Sequence, residues 1–217
     1  MSRPASEPVW LRETRESYDE VATSYAELLA DELAEQTWDR AVLAAFAELV
    51  PPGTTVADLG CGPGRITAHL AGLGLAVRGM DLSPGMVAEA TRRHPDLDFE
   101  VADLARLPLA EASLGGVVAW YSLIHTPDDR LPAVLGELAR ALVPGGQLVT
   151  AFQVGDEVVR VRQGYGHSIG LDAWRRQPAQ LERILGEAGL AVHTRVVREP
   201  VGPEKTQRAY LVARREG

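Results

Sequence analysis

Cysteine and lysine are nearly absent from this sequence of 217 residues, which has one of each, Cys61 and Lys205. A single cysteine excludes disulfide bonds within the chain and a thiolate metal cluster. The other basic residues are arginines that form no cluster, although clustered positive charge is what neutralises nucleic-acid phosphates. The adjacent acids Asp128 and Asp129 are too few to hold Mg²⁺ or Ca²⁺. We therefore expect no nucleic-acid partner and no metal.

Long hydrophobic runs are also missing. No stretch approaches the roughly 20 apolar residues that a membrane helix requires, and no apolar segment follows a basic start as in a secretory signal. We expect no membrane association and a cytoplasmic location. The hydrophobic content of 46% suits one domain with a sizeable core. We expect a monomer or a homodimer.

The most informative stretch, residues 56–70, reads as a buried strand, a glycine turn and a helix. Gly60, Gly62 and Gly64 stand at alternate positions, so the backbone can bend sharply and approach a ligand with no Cβ in the way. The free amides of the following helix point into the same gap. The turn predicts a site for a nucleotide-like ligand. It departs from the dinucleotide pattern G-x-G-x-x-G, whose third glycine would stand where Arg65 is.

Apolar periodicity predicts alternating strands and helices along most of the chain. The predicted strands are 54–59, 76–80, 97–101, 114–121, 147–152, 191–198 and 208–214, and the predicted helices are 17–29, 38–49, 65–73, 84–94, 131–142 and 177–188. This alternation favours an α/β fold with a Rossmann-like, doubly wound, mostly parallel seven-stranded sheet that ends in an antiparallel hairpin. Residues 1–13 are expected to be loose or to lie on the surface, and residues 153–176 carry four glycines that break any long period.

Four segments then occur in order: D-x-G-x-G-x-G at 58–64, D-L-S-P-G-M at 81–86, A-D-L at 102–104 and L-V-P-G-G at 142–146. With the terminal hairpin they resemble the class I S-adenosylmethionine-dependent methyltransferases, small-molecule branch, over nearly the whole chain. The resemblance implies a single methyltransferase domain over residues 1–217. Residues 1–50 would form a helical lid, and residues 153–176 an insertion at the substrate pocket.

The resemblance also implies S-adenosylmethionine as cofactor and gives several residues a role. The glycine turn would meet the methionine moiety, Asp81 would accept both ribose hydroxyls, and Asp103 would meet the adenine amino group. Asp58 would stand near the methionine ammonium or orient the turn. The residues alone leave two alternatives open, because Asp81 could cap the following helix and Asp103 could begin a turn. Further residues expected at the cofactor are Cys61, Leu82, Met86, Ala102, Leu104 and Tyr121.

Three aromatic residues of the first two helices, Tyr18, Tyr25 and Trp38, are candidates for a lid over the cofactor. Aromatic ring faces attract a positive sulfonium. The alternative is ordinary packing against the core, which aromatic residues at helical spacing most often indicate.

Histidine supplies the candidates for a catalytic base. His125 follows the fourth strand, in a loop that borders the transferable methyl group in the fold that the chain resembles. A neutral imidazole there could take a proton from the acceptor, and the alternative is a histidine that only binds the loop backbone. His167, among glycines, is a second candidate.

The expected function is methyl transfer to a small, uncharged or weakly polar molecule by in-line displacement. The tetrapeptide Trp120-Tyr121-Ser122-Leu123 differs from the (D/N)-P-P-(Y/F) of enzymes that methylate the amines of nucleic-acid bases. Two other functions stay open: an NAD-dependent oxidoreductase, and a non-catalytic protein that binds S-adenosylmethionine.

Overall fold

The structure is a computed structural model, and it describes residues 7–217. The helices are α1 (Val9–Leu28), α2 (Glu32–Glu35), α3 (Thr37–Leu49), α4 (Arg65–Gly72), α5 (Pro84–Arg93), α6 (Leu131–Ala141) and α7 (Pro178–Glu187). The strands are β1 (Thr55–Leu59), β2 (Ala76–Asp81), β3 (Asp98–Val101), β4 (Leu114–Trp120), β5 (Leu142–Gln153), β6 (Val158–Gly164), β7 (His167–Trp174), β8 (Leu190–Arg198) and β9 (Arg208–Arg215). A 3₁₀ turn, Leu123–His125, follows β4.

Seven of these strands form one sheet in the order β3-β2-β1-β4-β5-β9-β8. Strands β1 to β5 pair in parallel, and β9 pairs antiparallel with both β5 and β8. The predicted fold class is thereby confirmed. The strand order reverses between β1 and β4, and in open sheets of this kind a ligand binds outside the carboxyl ends at that point.

The sheet is covered on both faces, which explains why every residue of β4 is buried. One face packs on α6 and α7 through residues such as Leu135, Leu138 and Leu185. The other packs on α3 and α4 through residues such as Phe46 and Leu70. The two cores hold the carboxyl ends of the central strands in a fixed arrangement.

Helix α1 begins well before the predicted start at residue 17. Of the two alternatives predicted for residues 1–13, loose or on the surface, residues 9–13 are helical and none of them is buried. Residues 1–6 lie outside the described part of the chain. Val9, Trp10 and Leu11 are consecutive apolar residues with no helical period, so periodicity could not mark them. Their helix is stabilised by tertiary contacts with α5 and β7.

The strands β6 and β7 form a separate antiparallel hairpin that the sequence did not predict. Its turn at Tyr165 and Gly166 has positive φ at both residues, 54° and 83°, which suits the right-handed twist of a tight hairpin. Strand β7 packs against α1. Within residues 7–217, no helix combines the length and the apolar character needed to cross a membrane.

Candidate functional site

A cavity lies between the inner face of α1 and the carboxyl ends of the central strands. Its empty volume, mouth included, is about 700 Å³. The residues that line it are Trp10, Leu11, Thr14, Arg15 and Tyr18 of α1, and Gly60, Gly62, Asp81, Leu82, Ser83, Asp103, Leu104, Tyr121, Ser122, His125, Thr126 and Val134. Residues that follow β1, β2, β3 and β4 thus meet in one place, as expected for parallel strands.

The glycine turn forms the floor of the cavity. Gly60, Gly62 and Gly64 all have positive φ, between 53° and 83°, which side chains rarely tolerate. A Cβ on Gly60 would lie 2.3 Å from the Cβ of Ser122, so that position also has no room for a side chain. The turn therefore leaves backbone facing the cavity, with β4 close behind it.

Asp81, the last residue of β2, is held by two backbone groups. Its Oδ2 accepts from the Gly62 amide at 2.8 Å and its Oδ1 accepts from the Ser83 amide at 2.9 Å. Each carboxylate oxygen keeps a further lone pair for a ligand. Desolvation in this enclosed position raises the pKa of Asp81 to about 6. The residue that caps α5 is Ser83, whose Oγ accepts from the Met86 amide at 3.0 Å, and not Asp81.

Asp58 lies beneath the turn and does not line the cavity. It is fully buried, and its Oδ2 accepts from the Thr67 hydroxyl at 2.7 Å. Its Oδ1 is buried and has no hydrogen-bond partner among residues 7–217. Burial raises the pKa of this carboxyl to about 6. A buried acceptor without a partner is costly unless a donor from a ligand reaches it.

Asp103 and Leu104 line the cavity after β3. The Asp103 carboxylate accepts from the Ala105 amide at 2.9 Å, so it does start a turn, as the alternative interpretation proposed. The turn and a role at the ligand are compatible, because this bond uses only one of the two carboxylate oxygens.

Tyr18 and His125 form the polar pair at the centre of the cavity. The Tyr18 hydroxyl lies 2.7 Å from His125 Nε2, and His125 Nδ1 lies 2.9 Å from the backbone carbonyl of Asp172. Since a carbonyl can only accept, Nδ1 carries the hydrogen and Nε2 accepts from Tyr18. Burial lowers the pKa of His125, more strongly than the bond to Asp172 raises it. The imidazole is therefore neutral near pH 7, with its basic nitrogen on the Tyr18 hydroxyl.

Several of the predicted site residues lie behind the cavity wall. The Tyr25 ring packs against Tyr18 and Tyr165, with centroids 6.1 and 4.7 Å apart, and together with Met86 it borders the space beside Gly62. Residues of the turn and the strand ends that do not themselves line the cavity are Cys61, Gly64 and Ala102.

Two predicted site residues lie elsewhere. The interpretation of Trp38 as a lid residue does not fit the structure, because its side chain is 55% exposed at the start of α3 and does not line the cavity. His167 also lies outside the cavity. Its ring nitrogens bind Ser24 and Glu20 of α1, each at 3.0 Å, so it fastens the hairpin to the outer face of α1.

Sequence reasoning missed part of the wall. The unpredicted lining residues are Trp10, Leu11, Thr14, Arg15, Ser83, Ser122, Thr126 and Val134. The spacing of Trp10, Thr14 and Tyr18, four residues apart, is a helical stripe that could have extended α1 backwards. The described residues contain no group of three or more His, Cys, Asp or Glu that could hold a metal ion.

Known proteins resemble this chain in sequence and in fold. Residues 56–146 match a family model described as a methyltransferase domain. A demethylmenaquinone methyltransferase from Beutenbergia cavernae is 41% identical over 139 residues, which is 62% of this chain and 55% of that protein. The chain spans about half the length of the curated relatives that it matches.

Solved structures extend the likeness to the whole fold. A Burkholderia thailandensis 1,6-didemethyltoxoflavin-N1-methyltransferase, solved with S-adenosylhomocysteine, gives a TM-score of 0.75 at 19% identity and covers 100% of this chain and 94% of its own. The magnesium protoporphyrin IX methyltransferase from Synechocystis PCC 6803, solved with S-adenosylmethionine, gives 0.73 at 21% identity and covers 97% and 99%. The matched domain and the sheet order identify a class I S-adenosylmethionine-dependent methyltransferase fold, which confirms the resemblance that the four motifs carried.

Proposed function

We propose that this chain is an enzyme that transfers a methyl group from S-adenosylmethionine to a small-molecule acceptor by in-line displacement. The names of its relatives support this, since demethylmenaquinone, didemethyltoxoflavin and magnesium protoporphyrin IX are all small molecules. The acidic net charge of -8 argues against nucleic acid as the acceptor. We propose a cytoplasmic protein, monomeric or homodimeric, that acts away from membranes and nucleic acids.

The residues present fit the cofactor. Asp81 offers two carboxylate oxygens to the ribose hydroxyls, and Gly60 and Gly62 line the cavity with backbone alone. The unpartnered Oδ1 of Asp58 suits an ammonium group that reaches through the turn. Asp103, Leu82 and Leu104 would hold the base. When bound, S-adenosylmethionine supplies a methyl group that its sulfonium activates for transfer.

The single observation that carries a catalytic role is the Tyr18–His125 pair inside the cavity. His125 is neutral, its tautomer is fixed by the Asp172 carbonyl, and its Nε2 already accepts a hydrogen bond. When the acceptor loses a proton to the Tyr18 oxygen, the Tyr18 proton can pass to Nε2. Burial raises the pKa of Tyr18, so the phenol stays protonated and acts as a relay, not as a phenolate. General base catalysis of this kind contributes about 10²- to 10⁴-fold.

Residues 1–50 are proposed to act as the lid and residues 153–176 as the substrate-side insertion. Two contacts that join the insertion to α1 support this. The Gly170 amide donates to Ser17 Oγ at 3.2 Å, and Arg160 binds Glu13 at 2.7 Å. With the bonds of His167 to Ser24 and Glu20, these contacts fasten the insertion to α1.

Calorimetry with S-adenosylhomocysteine and with NAD tests the cofactor. The proposal predicts a 1:1 complex with S-adenosylhomocysteine and no measurable heat with NAD. Binding of NAD in its place would favour the oxidoreductase, against which Arg65 at the third-glycine position already argues. Screening metabolite pools for mass gains of one methylene then identifies the acceptor. A protein that binds the cofactor and methylates nothing would be the non-catalytic alternative.

A further inference from the structure

Asp19, on the surface of α1, binds the first turn of α5. Its Oδ1 accepts from the Ser83 hydroxyl at 2.6 Å and from the Gly85 amide at 2.8 Å. Both donors follow Asp81 directly in the chain. A carboxylate at a helix N-terminus is favoured by the free amides and the dipole of that helix.

Ser83 connects Asp19 to Asp81. Ser83 is fully buried, its backbone amide donates to Asp81 Oδ1 at 2.9 Å, and its hydroxyl accepts from the Met86 amide while donating to Asp19. The Ser83 hydroxyl thus donates to Asp19 on α1, and the Ser83 amide donates to Asp81. One residue, Ser83, thus connects Asp19 on α1 to the Asp81 carboxylate in the cavity.

Gly85 permits this contact. A Cβ at that position would lie 3.1 Å from the Asp19 carboxylate, 3.2 Å from the Asp19 Cα and 3.3 Å from the Ala22 side chain. A side chain at position 85 would therefore need Asp19 and Ala22 of α1 to shift by a few tenths of an ångström. The one other side-chain hydrogen bond between α1 and α5 within the described chain, Thr23 to Glu89 at 3.1 Å, is exposed and one turn further along.

We propose that Asp19 is a positioning residue that couples closure of α1 to the orientation of Asp81. It does not line the cavity, and it acts through Ser83. This inference rests on the proposed function, because the group that Asp81 would bind is the ribose of the cofactor. When α1 leaves, Ser83 loses its acceptor and the turn that aims Asp81 loosens; when α1 closes, both are fixed together.

The test compares binding of S-adenosylhomocysteine with binding of its 2′-deoxy analogue, which lacks one hydroxyl for Asp81. Asp19→Ala should lower the affinity for S-adenosylhomocysteine by about tenfold, the loss expected for one charge-assisted hydrogen bond. It should lower the affinity for the 2′-deoxy analogue much less. Asp19→Asn keeps an acceptor oxygen and should restore most of the affinity. Gly85→Ala, which displaces the same contact without altering Asp19, should behave like Asp19→Ala. Thr23→Val is the matched control and should bind both ligands as the wild type does.

Each result decides the matter. Equal weakening of both ligands by Asp19→Ala would mean that Asp19 only holds α1 in place and would overturn the proposal, as would unchanged binding of both. The Asp19→Asn variant controls for loss of the fold, because the Asn side chain has almost the same shape as the Asp side chain. If the wild-type protein itself fails to bind S-adenosylhomocysteine, the proposed function is what fails, and the comparison between variants does not arise.

Discussion

At the scale of single residues the proposed function depends most on two side chains, Asp81 and His125, and each is oriented by backbone groups. Asp81 is held by the amides of Gly62 and Ser83, and His125 by the carbonyl of Asp172. Backbone partners cost little conformational entropy, because the fold already fixes them. The two side chains are therefore in place before any ligand binds.

Removing the Asp81 carboxylate should weaken cofactor binding strongly. Asp81→Ala leaves two ribose hydroxyls facing a methyl group, and charge-assisted hydrogen bonds contribute about 1.5–3 kcal/mol each. Calorimetry with S-adenosylhomocysteine should show a loss of a few kcal/mol. Unchanged affinity in a folded variant would remove Asp81 from the site.

The raised pKa of Asp81 predicts a pH dependence of binding. The ionised carboxylate is the better acceptor, so affinity should be constant above about pH 7 and should fall as the pH drops through about 6. Asp58, with the same raised pKa, contributes in the same direction. Titration of S-adenosylhomocysteine binding checks this, with Asp81→Asn as the control that should be weak at every pH. A flat wild-type curve down to about pH 5 would contradict the assignment.

The proton relay predicts a loss of turnover when either of its two members is replaced. His125→Asn should lower turnover at least tenfold, leave S-adenosylhomocysteine affinity near that of the wild type, and abolish the acid limb of the pH–rate profile. That limb should lie below the ordinary histidine pKa, because burial lowers the pKa of His125. Tyr18→Phe removes the hydroxyl and keeps the ring, so it should reduce turnover similarly. Full turnover in His125→Asn would show that positioning alone suffices.

Residues tied to a motif at a strand end could be placed from the sequence, and isolated residues could not. Asp81 and Asp103 follow strands whose parallel pairing brings their ends together, so the fold itself carries them to the cavity. Trp38 and His167 were inferred from residue type. Residue type does not fix which face of a helix or hairpin turns inward, and both lie outside the cavity.

At the scale of elements, α1 is the part of the molecule that ligand binding should change most. It joins the rest through polar side chains, those of Glu13, Ser17, Asp19 and Ser24 among them, and through a small apolar cluster of Val21, Ala22 and Met86. The central strand β4 of the sheet, in contrast, is buried along its whole length. Elements that open over a site come from the less stable parts of a fold. We therefore expect α1 to be the helix that opens when the site is empty.

Hydrogen exchange in α1 should slow when the cofactor binds. Residues 15–33 should exchange faster in the free protein and be protected by S-adenosylhomocysteine, and Tyr18→Ala should weaken binding with little loss of global stability. Exchange mass spectrometry with and without ligand measures this. Equal exchange in both states, with a Tyr18→Ala protein that melts much earlier, would show that Tyr18 and Tyr25 are simply part of the core.

The elements predicted least well are those that long-range contacts create. The first turns of α1 have consecutive apolar residues, and the β6–β7 hairpin is interrupted by Gly164, Gly166 and Gly170, so neither shows a regular period. Both are stabilised by contact with each other, which no local pattern records. The seven strands of the main sheet have their own apolar runs and were predicted within a few residues, except that β5 is longer and begins at Leu142.

At the scale of the whole molecule, Asp58 links stability to pH. Burial raises its pKa from 3.8 to about 6, so the folded protein binds this proton more tightly than the unfolded chain. The contribution to stability is therefore complete below about pH 3.8 and is lost as the pH rises through about 6. The buried Asp58 carboxylate therefore lowers the stability of the fold at neutral pH, and it provides a hydrogen-bond acceptor under the turn.

Asp58→Asn should flatten this dependence. The difference in unfolding free energy between about pH 7.5 and pH 5 should change by about 1–3 kcal/mol relative to the wild type, in the direction that removes the gain on acidification. Histidines with lowered pKa values, His125 among them, act in the opposite sense in the same range, so the comparison with wild type is the informative quantity. Denaturant unfolding at the two pH values measures it. Parallel curves for the two proteins would mean that Asp58 titrates normally.

Methyl transfer itself is tested most directly by following the methyl group. The purified protein is incubated with S-adenosylmethionine that carries a deuterated methyl group and with a pool of small metabolites, and products are identified by mass spectrometry. We expect S-adenosylhomocysteine to form together with one acceptor that has gained the labelled methyl, and both to fall at least tenfold with His125→Asn. Tight binding of S-adenosylmethionine with no labelled product from any pool would contradict the assignment of this chain as a methyltransferase.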